Sequence, residues 1–187
     1  MSELEPISAL GTAEPRVATR GALMLRENAD VGLASLALRR GAAAPQPFGL
    51  ALPGPGAFVA GEGAQAFWTG PGQWMILREG GADQDVAAEL AAEAPGCSVT
   101  EQTDGWVAVE IASSQGAAPV ERLLEKLVNI PPASLSPDRA TRTVLHHMSV
   151  FVIRRSEDRL AVLGMRSAAG TLWHVLDAAA KRLETNE

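Results

Sequence analysis

Two strand-forming runs, Ala64-Gln65-Ala66-Phe67-Trp68-Thr69 and Trp74-Met75-Ile76-Leu77-Arg78, are separated by Gly70-Pro71-Gly72-Gln73. The proline fixes one φ and the glycines accept the conformations a tight reversal needs, so the segment predicts an antiparallel hairpin. The flanks are equally well punctuated. Pro53-Gly54-Pro55-Gly56 forces a loop before the hairpin. After it, Asp83 offers a helix N-cap, Val86, Ala87, Leu90 and Ala94 follow at helical spacing, and Pro95-Gly96 stops the helix.

The same grammar extends in both directions. Residues 31–39 are dense in β-compatible apolar residues and exit through Arg39-Arg40-Gly41. Residues 41–52 hold at most a turn or two of helix, because Pro45 and Pro47 interrupt it. Residues 106–111 read as a strand apolar on both faces, hence mostly buried. Pro119 starts a helix whose Val120, Leu123, Leu124, Leu127 and Val128 form one apolar stripe, and residues 129–137 are loop. Residues 141–148, 150–155 and 160–163 read as strands, with Ser156-Glu157-Asp158 turning the last pair. Ser167 then caps a helix that faces inward through Leu172, Trp173, Leu176, Ala180 and Leu183.

The order strand, helix, two strands, helix occurs in residues 31–94 and again in 106–183. Two such halves predict an α+β fold, a largely antiparallel sheet with helices on one face, within a single domain over residues 28–187. Residues 1–27 show no sustained period and contain Pro6, Gly11, Pro15 and Gly21, so they predict an extended N-terminal arm.

Composition narrows the function classes. With 47% hydrophobic and 20% charged residues the chain is an ordinary globular one, not a disordered one. A net charge of −6 argues against a broad electrostatic hold on nucleic acid or an anionic membrane. The acidic start Met1-Ser2-Glu3-Leu4-Glu5-Pro6, without a following apolar region, is unlike a secretory signal, and no apolar run is long enough to span a membrane. Cys97 is the only cysteine, so no internal disulfide forms, and a cytoplasmic location is expected.

The chemistry-bearing residues are sparse. His146 and His147 are adjacent in a predicted strand, where they would leave opposite faces, and His174 lies on a distant helix; packing or surface roles outweigh a metal site. Cys97 follows Pro95-Gly96 with no partner base in view, and reads as inert. Gly61-Glu62-Gly63 and Gly70-Pro71-Gly72-Gln73 lack the residues of nucleotide-binding loops and read as turns. Arg166-Ser167, at a strand-to-helix junction, suits a carboxylate or phosphate, although capping by Ser167 and pairing of Arg166 with a nearby carboxylate explain the same residues better. Asp104 before Gly105-Trp106 is foremost a turn residue. Trp68, Trp74, Trp106 and Trp173 suit a core, with one or two free to anchor a partner.

Taken together, these residues resemble a known family. Phe67-Trp68-Thr69-Gly70-Pro71-Gly72-Gln73-Trp74-Met75-Ile76-Leu77 resembles the W-x-G-P-x-x-W hairpin of the gamma subunit of heterotetrameric sarcosine oxidase. Val99-Thr100-Glu101-Gln102-Thr103-Asp104-Gly105-Trp106 is similar to the approach to that family's central strand. Residues 119–130, Ala140-Thr141-Arg142-Thr143 with His147-Met148, and Arg166-Ser167 through Leu172-Trp173 follow in matching order. The resemblance covers residues 30–183 and departs at the proline-interrupted first helix.

The resemblance implies a fold like the folate-binding domain of aminomethyltransferases and a non-catalytic assembly role in the oxidation of sarcosine to glycine. FAD, FMN, NAD, tetrahydrofolate and zinc would be held by the alpha, beta and delta subunits, its partners, and none by this chain. Trp74, Asp104, Arg142, His147, Arg166 and Trp173 are the motif positions expected at a partner interface or anion contact. A stand-alone folate-binding protein or aminomethyltransferase-like enzyme is the alternative, resting on fold alone. The isolated chain is expected to form a homodimer through its unoccupied partner surface.

Overall fold

The computed structural model describes residues 7–184. The strands are β1 (Val17–Arg20), β2 (Leu23–Asn28), β3 (Gly32–Leu38), β4 (Phe58–Ala60), β5 (Gln65–Gly70), β6 (Gln73–Arg78), β7 (Cys97–Glu101), β8 (Trp106–Ser113), β9 (Arg139–Leu145), β10 (Met148–Ser156) and β11 (Arg159–Met165). The helices are α1 (Val86–Glu93), α2 (Ala117–Leu127) and α3 (Ala169–Glu184). The α+β class and the antiparallel pairing are as the sequence predicts. The strands divide into two sheets, however, of order β1-β2-β8-β11-β10-β9 and β4-β5-β6-β3-β7.

The sheets lie face to face between outer helices. Leu33, Phe67, Met75 and Leu77 of the five-stranded sheet pack against Ala108, Phe151, Ile153 and Leu163 of the six-stranded one. Phe67 and Phe151 meet in this middle layer with ring centroids 4.8 Å apart. The outer face of the larger sheet is covered by Val120, Leu123 and Leu124 of α2 and Leu172, Trp173 and Leu176 of α3. That of the smaller sheet is covered by Val86 and Leu90 of α1. Each sheet therefore has helices on one face and its sister sheet on the other. This explains the near-continuous apolar character of β6 and β8, whose side chains are buried on both sides.

The two halves repeat, with one exchange. Strands β3, β4, β5, β6 and helix α1 of the first half correspond in order to β8, β9, β10, β11 and α3 of the second. Where α2 lies in the second half, the first has only a 3-10 turn at Pro47–Gly49, as its prolines require. The strand preceding each half crosses to the other sheet. Strand β2, just before β3, pairs with β8, and β7, just before β8, pairs with β3.

That exchange corrects the expected N-terminal arm. Residues 1–6 lie outside the described residues, but 17–28 form a hairpin integral to the six-stranded sheet. Leu23, Leu25 and Glu27 alternate inward, and all three are buried. The third inward position carries a carboxylate instead of a hydrocarbon, which hides the two-residue period from a reading of hydropathy. Glu27 accepts the backbone N–H of Leu10 at 3.0 Å and of Arg16 at 3.2 Å, so the buried charge ties residues 10–16 to the sheet.

Other departures are local. Helix α1 is capped by Asp85, whose Oδ1 accepts the Ala88 N–H at 2.8 Å, not by Asp83. His146 and His147 are not in a strand. They form the two-residue β9–β10 turn, with φ of 47° and 70°. Ser167 makes no capping bond, because a 3-10 turn at Arg166–Ala168 stands between β11 and α3.

Gly32 opens β3 at a point of close approach. A Cβ there would lie 2.4 Å from the carbonyl oxygen of Gly81 and 2.6 Å from Cγ2 of Val86. Gly32→Ala is expected to lower the thermal midpoint by at least about 4 °C. Gly170→Ala, at a helical glycine with open space around it, is expected to leave it within about 2 °C. Calorimetry of the two variants checks the pair.

Candidate functional site

The two strand exchanges bring residues 28–33 and 101–106 together at one end of the sandwich. Thr103 stitches them, its hydroxyl oxygen accepting the Leu33 N–H at 2.9 Å, while the Gln102 N–H donates to the Leu33 carbonyl at 2.8 Å. Glu101 is the hub of this turn. Its Oε1 accepts the backbone N–H groups of Gln102 and Thr103 and the Thr103 hydroxyl, and its Oε2 accepts the Ala87 N–H at 3.0 Å. Burial pushes the Glu101 carboxyl up, but the Thr103 hydroxyl and the three backbone N–H groups outweigh it and hold the carboxyl below the usual range. The side chain thereby fastens the first turn of α1 to the exchange point.

Beside this turn lies a cavity of about 300 Å3 lined by Ser8, Asp30, Thr103, Asp104, Trp106 and Arg166. Arg166 Nη2 donates to the Ile7 carbonyl at 3.2 Å, and Nη1 stands 3.9 Å from Oδ1 of Asp104, whose side chain is 99% exposed. The Trp106 indole N–H donates to Gln102 Oε1 at 3.3 Å, and its ring lies 5.8 Å from that of Phe151. Arginine and aspartate therefore meet at the exchange, as the sequence candidates Arg166 and Asp104 allow. The pair is loose and solvated, so it contributes little to stability.

The remaining candidates lie elsewhere. Trp74 is buried in the outer core under α1, and its indole N–H donates to the Pro53 carbonyl at 2.7 Å, pinning the Pro-Gly loop. Trp173 is on the buried face of α3, with the Arg16 guanidinium 5.7 Å from its ring. Arg142 and His147 belong to the outer edge formed by β9 and the β9–β10 turn, where Arg142 Nε donates to Ser149 Oγ at 3.1 Å. His174 is exposed on α3 and Cys97 is buried. Among the described residues no three His, Cys, Asp or Glu side chains group to hold a metal ion. Among the described residues, the large exposed apolar side chains are Ile7, Val17, Met24, Val144 and Met165, on five segments of the chain.

A second cleft, of about 520 Å3, runs between the sheets at their side and is walled by charge. Arg155 clamps it. The guanidinium bonds both oxygens of Glu110 on β8, at 2.7 and 3.0 Å, and also bonds Gln65 of β5; Glu79 lies 3.6 Å away. Charge alternation along the sequence gives no hint of this inter-sheet clamp, because its members are distant in the chain.

Comparison with known proteins follows this geometry. The chain matches no protein-family model, and no curated protein matches it by sequence. Among solved structures it is similar to a chain of the heterotetrameric sarcosine oxidase from Corynebacterium sp. U-96, with a TM-score of 0.70 and 21% identity. That match covers 90% of this chain and 88% of the other. The two share a fold. The chain is also similar to the glycine cleavage system aminomethyltransferase T from Bartonella henselae, with a TM-score of 0.58 and 19% identity. Here the match covers 88% of this chain but only 50% of that one.

Two outcomes test the local chemistry. A carboxyl held below its unfolded-state range stabilises the fold above about pH 4.5, and that contribution is lost as pH falls through the folded value. Glu101→Gln is therefore expected to lower the thermal midpoint by about 2–4 °C at pH 7, with the gap closing as pH falls through the lowered folded-state value. At the β9–β10 turn, His146→Asn with His147→Gly supplies the residues that positive φ favours. Denaturant unfolding is expected to show a gain of about 1 kcal/mol.

Proposed function

We propose that this chain is the gamma-type subunit of a heterotetrameric, flavin-dependent sarcosine oxidase, serving assembly and not catalysis. The observation that carries the proposal is the mutual coverage with the sarcosine oxidase chain, 90% and 88%, at a TM-score of 0.70. The ordered motifs from Phe67 to Trp173 support the same reading. The residues gathered at the strand exchange agree with it in kind: Glu101, Thr103 and Trp106 bond their own chain, and Arg166 reaches a backbone carbonyl and an exposed carboxylate. These groups position segments of the chain against one another. In this proposal the partners are the alpha, beta and delta subunits of a cytoplasmic complex. FAD, FMN, NAD, tetrahydrofolate and zinc are held by those subunits. A free-standing aminomethyltransferase-like role has less support, with a TM-score of 0.58 to that enzyme against 0.70 to the sarcosine oxidase chain.

Expression of the flavoprotein subunits with and without this chain tests the proposal. The expected outcome is a yellow complex containing all four chains, whose recovery falls about tenfold or more when this chain is omitted. Equal recovery of active complex without it overturns the proposal.

A further inference from the structure

The connection from α2 to β9 leaves one more cleft, away from the strand exchange. It has a volume of about 580 Å3 and lies between the C-terminal half of α2, residues 128–137 and the β10–β11 turn. Its walls are apolar, made by Leu124, Val128, Ile130 and Leu135. Three carboxylate side chains, Glu121, Glu125 and Glu157, stand exposed around it.

Arg154 also lines this cleft and is only 2% exposed. Its Nε donates to the Ser156 carbonyl at 2.7 Å and its Nη2 to the carbonyl of Glu157. Nη1 is closed from solvent and has no acceptor among the described residues. Burial pushes the guanidinium below its ordinary value, and Glu121, Glu157 and Asp158 pull it back. A buried donor without an acceptor is costly, and native structures leave few of them. The acidic rim meanwhile repels phosphates, which disfavours nucleic acid and anionic lipid as occupants.

Apolar walls, an unmet donor and a negative rim together complement one kind of occupant. We propose that this cleft docks an extended segment of a partner subunit in which an apolar residue is flanked by lysine or arginine. The apolar side chain fills the space beside Leu124 and Leu135, the Arg154 guanidinium turns Nη1 out of its closed position to meet a main-chain carbonyl, and the basic residues lie against Glu121, Glu125 and Glu157. The identity of the partner as a subunit rests on the assembly reading above; the chemistry of the cleft does not.

Titration of the isotopically labelled full chain with two capped hexapeptides tests it, one of sequence Lys-Arg-Leu-Val-Lys-Arg and one with every basic residue replaced by glutamate. Amide shifts are expected at residues 121–137 and 154–157, with the basic peptide binding at least about tenfold more tightly. The variant Glu121→Gln with Glu125→Gln is expected to keep a dispersed spectrum and to weaken the basic peptide about fivefold. Equal binding of the acidic peptide, shifts confined to other residues, or undiminished binding by the variant overturns the proposal. The same variant placed in the co-expressed complex separates the two readings. Loss of this chain from the complex supports both, and unaltered assembly overturns the cleft alone. Absence of assembly even with the wild-type chain overturns the assembly reading, while the titration still decides the cleft. A homodimer that the variant dissociates identifies a second copy as the occupant and overturns the partner-subunit assignment.

Discussion

The exchange of β2 and β7 is the constraint on which the rest of this structure depends. Each sheet takes a strand from the segment that leads into the other sheet, so the pairing of each is completed by residues outside its own repeat. Apart from the exchange, the two sheets meet through the side chains of the middle layer and through a main-chain bridge between Ala57 and Arg139. The exchange adds main-chain hydrogen bonds between the halves, in a ladder that runs from Leu23 opposite Ser113 to Asn28 opposite Ala108. It also brings two chain crossings side by side. The residues best placed to hold them together, Glu101 and Thr103, are occupied with each other and with the backbone of the opposite half.

Charges inside this protein serve mainly as ties between segments. Glu27 holds residues 10 and 16, Arg155 joins β10 to Glu110 and Gln65 across two sheets, and Arg20 pairs with Asp177 of α3 at 2.9 Å. A half-buried ion pair gains little over hydrocarbon of the same size, but losing one member strands the other. Such pairs therefore specify which segments meet more than they raise stability. Arg154, like Arg20 and Arg78, keeps one buried donor without an acceptor among the described residues.

Much of this was legible in the sequence where local chemistry decides. The 65–78 hairpin, the apolar stripe of α2, the β10–β11 turn and the helical run after Ser167 follow from glycine and proline placement and from periodicity. Strand β4 is three residues long and β7 five, too short for a period to show. The His146-His147 turn carries neither asparagine nor glycine, so nothing marks its positive φ values. The division into two sheets and the strand exchange are set by packing partners remote in sequence, and no local signal encodes them. Among the motif positions, Asp104 and Arg166 do come together, whereas Trp74 and Trp173 lie in different outer cores, because apolar area places an indole wherever a core has room.

The order in which this chain leaves the ribosome gives the exchange a further meaning. Leu25 of β2 emerges well before Ile111 of β8, the residue directly opposite it in the finished sheet. At about 5–20 residues per second, synthesis separates the two by roughly 4–17 s. During that interval the nascent first half exposes the inward leucines of β2 and an unpaired edge on β3, which itself waits for β7. Closure of the six-stranded sheet is thus postponed until the second half has been made, whereas the five-stranded sheet can close once β7 has emerged, and a chaperone or a neighbouring nascent chain has seconds in which to engage the open strands.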